Sequence, residues 1–207
     1  MFTTEEFAKL HGISVQTSPP VVEAGAKHGV RSRREIAVRI LILHGIVAVA
    51  AGVDPEPVAE WFQNQKIWSA ATPKEKAFLQ NATASSEQRN QLVWHNEAEW
   101  ALLWMVGKVE SLGLPTGACD TRRLVDEIIP PLGSDIGPFL RSAKLRSPGM
   151  LLAEDDRTYN LWCYVHAARR KSEPVPEDLN LGVLYERRYA FEWLDGFQEW
   201  DDVICDA

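Results

Sequence analysis

The feature that most constrains the fold is a long stretch that forms a helix without a polar face. Residues Glu35 to Gly52 read EIAVRILILHGIVAVAAG, and apolar side chains occupy nearly every direction around the helical wheel. A helix that is apolar on all sides must be surrounded by other elements. Its longest apolar run, Ile40 to Val53, is shorter than the span that a bilayer requires. The stretch therefore predicts the central, buried helix of a core.

The composition is that of one folded domain that is not associated with a membrane. The chain has 207 residues, of which 45% are hydrophobic and 25% charged, and this is enough to bury a sizeable core. The formal net charge of -7 argues against a broad nucleic-acid surface and suits either plain solubility or a basic protein partner. Three widely spaced cysteines without a CxxC pair, and an acidic N-terminus unlike a secretory signal, predict a cytoplasmic protein.

Helix starts are marked by capping residues along most of the chain. A Ser or Thr three residues before Glu or Gln predicts a capping box, and Asp-Pro or Thr-Pro places a proline in the first turn. A final helix is predicted over Leu181 to Leu194, ended by Asp195 and Gly196. Weak strand signals are confined to residues 12–16 and 150–152. The predicted starts are Thr3 with Glu6, Ser32 with Glu35, Asp54-Pro55, Thr72-Pro73, Ser85 with Gln88, Asp120, and Glu154 or Asp155.

These signals predict an all-α fold, a single helical domain of about eight helices around a central apolar helix at residues 35–52. An N-terminal helix and connector are expected over residues 1–30, and the helical domain over 31–207. The N-terminal and C-terminal segments are expected to be short and irregular. The eight tryptophans favour a tryptophan-rich core, with an aromatic binding surface as the alternative.

Four charged residues fall on helix faces that should be buried: Arg39, Glu97, Glu186 and Arg187. An isolated buried ion is costly, so these residues are expected to pair, with an arginine of the last helix reaching Glu97. One interpretation is a structural network that fixes helix register, because the planar arginine fork holds a carboxylate through two hydrogen bonds. The other is a polar pocket within the bundle, in which a carboxylate does acid–base chemistry.

The HNE run that begins at His95 matches the first half of a zinc-deaminase signature but lacks the second half. That chemistry requires a PCxxC pair, whereas Cys119 stands alone. His95 and Glu99 fall with Asn96 on a polar arc that is expected to face solvent or a cleft. The five histidines are scattered, so no metal site and no cofactor are predicted, and His44 is expected to be a satisfied core histidine.

Two charged segments are candidates for contact with a partner. A basic run surrounds the start of the central helix, the end at which cations are unfavourable. The segment after the last helix is acidic and has no Lys or Arg. It is expected either to bind a basic partner or to fold back onto the basic run. The candidate partner-binding residues are Arg31, Arg33, Arg34, Asp195, Glu199, Asp201 and Asp202.

Several motifs occur in a fixed order along the chain. They are RSRREIAVRILILHGIVAVA, VWHNEAEWALLWMVG, a CD pair, LYERRYAFEWL and a WDD near the end. Over roughly residues 31 to 206, this pattern resembles a bacterial family known as domain of unknown function 4272. The resemblance implies an α-helical fold and adds no reaction, cofactor or catalytic residue. Glu97, Glu186 and Arg187 lie within the shared motifs.

Two kinds of function fit these features. The first is a non-enzymatic cytoplasmic interaction protein, such as an immunity or antitoxin-type inhibitor of a basic toxin or enzyme. It requires a packed interior and an acidic or aromatic patch on the surface. The second is an enzyme or small-molecule-binding protein that uses a buried Glu/Arg pocket between helices. There Glu97 or Glu186 would be the acid or base, Arg187 or Arg39 would hold an anionic group, and a concave pocket must reach Glu97.

Overall fold

The computed structural model describes residue 9 and the ranges 30–80, 84–175 and 179–205, and every regular element within them is helical. The predicted all-α fold is therefore confirmed. The predicted N-terminal division over residues 1–30, with its capping box and its strand signal, lies almost entirely outside the described residues. The described helices are α1 (Arg33–Ala50), α2 (Pro55–Asn64), α3 (Pro73–Gln80), α4 (Ser86–Met105), α5 (Thr121–Arg123), α6 (Gly137–Ser142), α7 (Pro148–Arg170) and α8 (Leu181–Leu194), with short 3₁₀ turns at Trp68–Ala70 and Trp200–Asp202.

Most helices begin at the side chains that the sequence indicates. Ser32 and Glu35 make reciprocal hydrogen bonds at the start of α1, and Ser85 and Gln88 do the same for α4. Asp54 caps α2 by accepting a hydrogen bond from a backbone N–H in the first turn. These caps satisfy N–H groups that a helix cannot pair internally, which explains why local sequence sets these boundaries.

The apolar helix α1 lies at the centre of the fold. Its residues from Ile36 to Val47 are all buried, and α2, α3, α4 and α6 all contact it. At Gly45 the ring of Phe62 comes so close that a Cβ would lie 2.5 Å from a ring carbon. On the far side of α4 lies α8, and α7 packs on α8, so the four longest helices form the row α1, α4, α8, α7. No helix within the described ranges has both the length and the apolarity needed to cross a membrane.

A second, smaller apolar cluster joins α7 to α8. It is separate from the main core that α1, α4 and α8 share. Since α8 supplies the main contacts of α7, this helix is an outer element attached to the domain through α8 rather than through α1. The buried residues of the second cluster are Leu161, Trp162, Val165, Leu179 and Leu184.

The predicted start of α7 is wrong. α7 begins at Pro148 with Ser147 as its cap, not at residues 154–155, so the predicted extended piece at 150–152 is helical. Proline is well placed there because the first position of a helix leaves its N–H unpaired in any case.

The predicted helix start at Asp120 is confirmed. Asp120 caps a single α turn that continues as a π-helix over Leu124–Ile128.

Candidate functional site

The space between α4 and α7, above α8, forms a groove of about 1090 Å³. α3 and the 3₁₀ turn at residues 200–202 supply the rest of its lining. Typical ligand pockets occupy about 300–1000 Å³, so the groove is large enough for a ligand. We call it the aromatic groove, because its lining includes Phe78, Trp94, Trp162, Tyr185 and Trp200.

A glycine of α8 allows Trp94 to form one edge of the aromatic groove. The Trp94 ring lies against Gly182 so closely that a Cβ there would be 2.9 Å from a ring carbon. Trp94 remains 43% exposed, and Tyr185 on α8 is 40% exposed. Large aromatic side chains that are partly exposed on one concave surface offer apolar contact area with little loss of side-chain entropy.

A histidine and a carboxylate meet at the base of the groove. Nδ1 of His95 lies 2.9 Å from a carboxylate oxygen of Glu186. The imidazole is flanked by Tyr189 and Trp200, with ring centroids 6.1 and 6.0 Å away. Glu186 is buried, as the wheel analysis predicts, while the His95 side chain keeps 21% exposure. The partner of Glu186 is thus a histidine of α4, and the arginine next to it in sequence points elsewhere.

This pair can hold one tautomer of the imidazole. When Nδ1–H donates to Glu186, Nε2 keeps its lone pair and can accept a hydrogen bond or a proton from a ligand. The described lining of the groove contains no Ser, Thr or Cys, so no hydroxyl or thiol of those types accompanies the pair. Through His95 the arrangement can bind a ligand and exchange a proton with it.

The acidic C-terminal segment folds back toward the starts of α1 and α3. Arg31 donates hydrogen bonds to two backbone carbonyls at and beyond the end of α8, and its guanidinium lies 3.7 Å from the Glu199 carboxylate. The backbone N–H of Lys74 donates to the Asp201 carboxylate, and its ammonium donates to the Asp201 carbonyl, at 3.2 and 3.0 Å. The other partner-binding candidates lie at the surface: Arg33, Arg34, Asp195 and Asp202 are exposed, as is Glu199 itself.

Glu97 and Arg187 bind the loop between α4 and α5 instead of each other. Arg187 donates to the carbonyls of Leu112 and Gly113, both at 2.9 Å, and Glu97 accepts from the backbone N–H of Cys119. The expected direct pair is wrong, since within the described ranges no ion pair joins the two side chains. The polar backbone groups of the loop that face the interior need partners, and the two charges supply them. The Glu97 carboxylate is still close enough to oppose the lowering of the Arg187 pKa by burial.

A second cavity of about 390 Å³ borders this loop. Arg187 and Cys119 line it, whereas Glu97 does not. Burial, assisted by the neighbouring Glu97 carboxylate, raises the pKa of the Cys119 thiol, so that the thiolate is disfavoured. Neither cavity described here reaches Glu97, which leaves that residue without access to a substrate.

The remaining buried charges are matched inside the protein. Arg39 forms an ion pair with Glu75, and its guanidinium lies 5.1 Å from the centroid of the Trp200 ring. Glu99 is fully buried, 3.1 Å from Nδ1 of His44. Its predicted place on a solvent-facing arc is wrong because α1 covers one side of α4 and α8 the other. Burial raises the pKa of Glu99, and the hydrogen bond from His44 offsets part of that shift.

An ionic cluster around Arg188 attaches α7 to α8. The guanidinium lies 2.7 Å from the Asp155 carboxylate of α7 and also pairs with Glu192, one turn further along α8. It lies 4.9 Å from the centroid of the Tyr159 ring. Burial raises the pKa of Asp155 to about 6, although Arg188 opposes the shift. The attachment of the outer helix therefore contains a group that titrates near neutral pH.

Of the groove residues, sequence reasoning singled out Glu186 and Asp201 and placed His95 facing solvent or a cleft, but it did not join them. The lining comes from α3, α4, α7, α8 and the turn at 200–202, which are far apart in sequence, and no local pattern shows that they meet. The one local signal is an aromatic residue directly before a titratable one, as in Trp94-His95 and Tyr185-Glu186. Within the described part of the chain, no group of three or more His, Cys, Asp or Glu side chains is placed to hold a metal ion.

Comparison with known proteins assigns the chain to a family. The chain matches the family model described as "Domain of unknown function (DUF4272)" over residues 2–203, beginning closer to the N-terminus than the motifs indicate. Neither the curated proteins nor the solved structures gave a match. Because the matched range spans nearly the whole sequence, the chain belongs to the DUF4272 family.

Proposed function

We propose that this protein is a small-ligand-binding protein and that the aromatic groove is its site. The observation that supports it is the convergence of several aromatic side chains and the His95–Glu186 pair on one cavity of about 1090 Å³. A large concave apolar surface with a few converging polar groups is the usual form of a ligand site. The groove takes the place of the Glu/Arg pocket expected from sequence, because it reaches Glu186 and not Glu97.

The proposed role is binding without covalent catalysis. His95 is the group best placed to exchange a proton with a ligand, since its Nδ1 is fixed by Glu186 and its ring lines the groove. No Ser, Thr or Cys is among the described lining residues, so a hydroxyl or thiol nucleophile of these types would have to come from outside them.

A neutral flat probe tests the proposal. The purified protein is titrated with 2-naphthamide while the indole ¹⁵N–H signals of the tryptophans are followed by NMR. We expect saturable binding that Trp94→Ala weakens about tenfold, since a stacked aromatic anchor contributes on the order of 1–2 kcal/mol. Tyr159→Ala is the matched control, because Tyr159 is 42% exposed, close to the 43% of Trp94, and lies outside the groove. Equal affinity in the two variants, or no binding at all, would overturn the proposal.

The interaction-protein hypothesis has its own support in the charge of the surface. Asp195, Glu199 and Asp202 are exposed within eight residues of one another, and the net charge of the chain is -7. An acidic surface accelerates encounter with a basic toxin or enzyme. The test is co-purification from the native host with a matched variant that carries Asp195→Asn, Glu199→Gln and Asp202→Asn. A basic protein that is retained by the parent chain and lost by the variant supports inhibition; equal retention by both contradicts it.

A further inference from the structure

The carboxylates that line the aromatic groove already have partners. Glu75 is paired with Arg39, and Glu186 with His95. The Asp201 carboxylate accepts the backbone N–H of Lys74. None of the three is therefore left as a free acceptor for a cationic ligand.

The cations of the groove differ from its carboxylates in this respect. Arg169, in the last turn of α7, lines the groove and is exposed, and it forms no hydrogen bond or ion pair with the described residues. Lys74 directs its ammonium to a backbone carbonyl, and within the described ranges no carboxylate oxygen lies within ion-pair distance of it. Although the chain is acidic as a whole, the charged lining residue that makes no hydrogen bond or ion pair with the described residues is a cation, Arg169.

A buried donor on the same wall has no partner either. Trp162 is only 8% exposed, and its indole Nε1–H is buried without a hydrogen-bond acceptor. Trp162 and Arg169 are seven residues apart on α7, so they share one face of the helix about 10 Å apart along its axis. Helical side chains lean toward the N-terminus, which directs the arginine back toward Trp162. That nitrogen has less than 1 Å² of accessible surface, so a ligand in the groove does not reach it, and Arg169 is the group of this wall that can hold an anion.

We propose that the aromatic groove binds a small monoanionic ligand, a carboxylate on a flat apolar body, with the carboxylate held by Arg169. The apolar body would stack on Trp94 and Tyr185. The planar guanidinium fork matches the two oxygens of a carboxylate. A single negative charge fits better than two, because Glu75, Glu186 and Asp201 also line the groove and would repel a dianion. This inference rests on the proposed function and names the ligand class of the same site.

Three probes of one shape and different charge test the inference. The protein is titrated at pH 7.5 with 2-naphthoate, 2-naphthamide and 2-naphthylmethylammonium, and the indole ¹⁵N–H signal of Trp162 is assigned from Trp162→Phe. We expect 2-naphthoate to bind about tenfold tighter than the amide, the size of one charge-assisted hydrogen bond. The ammonium probe is expected to bind weakest, and the Trp162 signal is expected to shift with the carboxylate.

Neighbouring arginines provide a matched pair of variants. Arg169→Gln is expected to reduce the affinity for 2-naphthoate about tenfold. The affinity for 2-naphthamide is expected to stay within a factor of two of that of the parent chain. Arg170→Gln removes the same charge from the next position, which does not line the groove, and is expected to change neither. Equal binding of acid and amide, preferential binding of the ammonium probe, or equal losses in the two arginine variants would overturn the inference and leave the proposed function standing. Failure of all three probes to bind would overturn both.

Discussion

The core lies between α1, α4 and α8, and the aromatic groove lies between α4 and α7, above α8. The two regions share α4 and α8, but their polar groups differ in the partners that they have within the protein. In the core, every buried charge that we describe makes at least one hydrogen bond within the protein, as Arg39, Glu99 and Arg187 do. In the groove, Arg169 makes no hydrogen bond or ion pair with the described residues. Burial of charge alone therefore does not mark a site. A charged side chain that borders a cavity and makes no hydrogen bond with the described part of the protein is the better indicator.

The largest expected difference between the two regions is in the response to loss of an arginine. Arg187→Met leaves the carbonyls of Leu112 and Gly113 without their donor and removes the positive charge near Glu97, so we expect a loss of about 3–5 kcal/mol in the free energy of unfolding. Arg169→Met removes a groove residue and is expected to change the free energy of unfolding by less than about 0.5 kcal/mol. Urea denaturation followed by circular dichroism measures both. Similar values for the two variants would remove the distinction between core and groove.

Gly45→Ala tests how tightly the core is packed. The added Cβ would lie 2.5 Å from a Phe62 ring carbon and 2.7 Å from a Val58 methyl, and both of those side chains are buried. Since neither can move away easily, we expect a loss of about 2–3 kcal/mol, typical of overpacking. Thermal and urea denaturation check the value. A stability equal to that of the parent chain would show that α1 and α2 can separate without cost.

The attachment of α7 is expected to depend on pH through Asp155. Its pKa is about 6 in the folded chain against an ordinary value of 3.8, so the folded state binds more protons between these values. The contribution of Asp155 to stability is therefore greatest at low pH and is lost as pH rises from about 4 to 6. We expect Asp155 to contribute about 1–2 kcal/mol to the free energy of unfolding at low pH. Solvent screening reduces this contribution, because the side chain is 26% exposed.

Asp155→Asn isolates this contribution from that of Glu99, whose raised pKa acts in the same direction. Urea denaturation of the parent chain and the variant between pH 4 and 7 should give curves that differ in slope over this window. Glu60→Gln, at an exposed position of α2, is the control and is expected to leave the slope unchanged. Parallel curves for the parent and Asp155→Asn would contradict the prediction.

A small change in stability is also expected at Gly182, where crowding occurs in the groove and not in the core. An added Cβ would lie 2.9 Å from a Trp94 ring carbon, but Trp94 is 43% exposed and can move. We expect Gly182→Ala to alter the free energy of unfolding by less than about 1 kcal/mol, because alanine also favours the helix. Its effect should fall on ligand affinity, measured with 2-naphthamide. A loss as large as that of Gly45→Ala would mean that the groove edge is as rigid as the core.

Much of the fold was predictable because the information is local. The all-round apolar composition of α1 requires a central position, and the caps at Ser32, Asp54 and Ser85 act within one turn of their own helix. The start of α7 was missed although Ser147-Pro148 repeats the signal of Thr72-Pro73. Proline is favoured in the first turn of a helix because the N–H groups there are unpaired, and this rule predicts a helix start at both positions.

The candidate site was predictable only in part, because its contacts are not local. A helical wheel shows that Glu97 and Glu186 face inward, but it cannot show what meets them there. Glu97 accepts a hydrogen bond from a loop N–H that lies 22 residues away in sequence, and Glu186 pairs with His95, which lies 91 residues away. The wheel failed for Glu99 because α4 is enclosed on two sides, so its polar arc on one side also becomes an interior surface.

The contacts of Glu97 and Arg187 also determine when the loop between α4 and α5 becomes ordered as the chain folds. Arg187 and Leu112 are 75 residues apart, so their hydrogen bond cannot form before α8 has docked near α4. Contacts that form after the folding transition state slow unfolding and leave the folding rate nearly unchanged. We therefore expect Arg187→Met to accelerate unfolding by most of its effect on stability, with little change in refolding. The loop governs how long the folded chain persists, and not how quickly it forms.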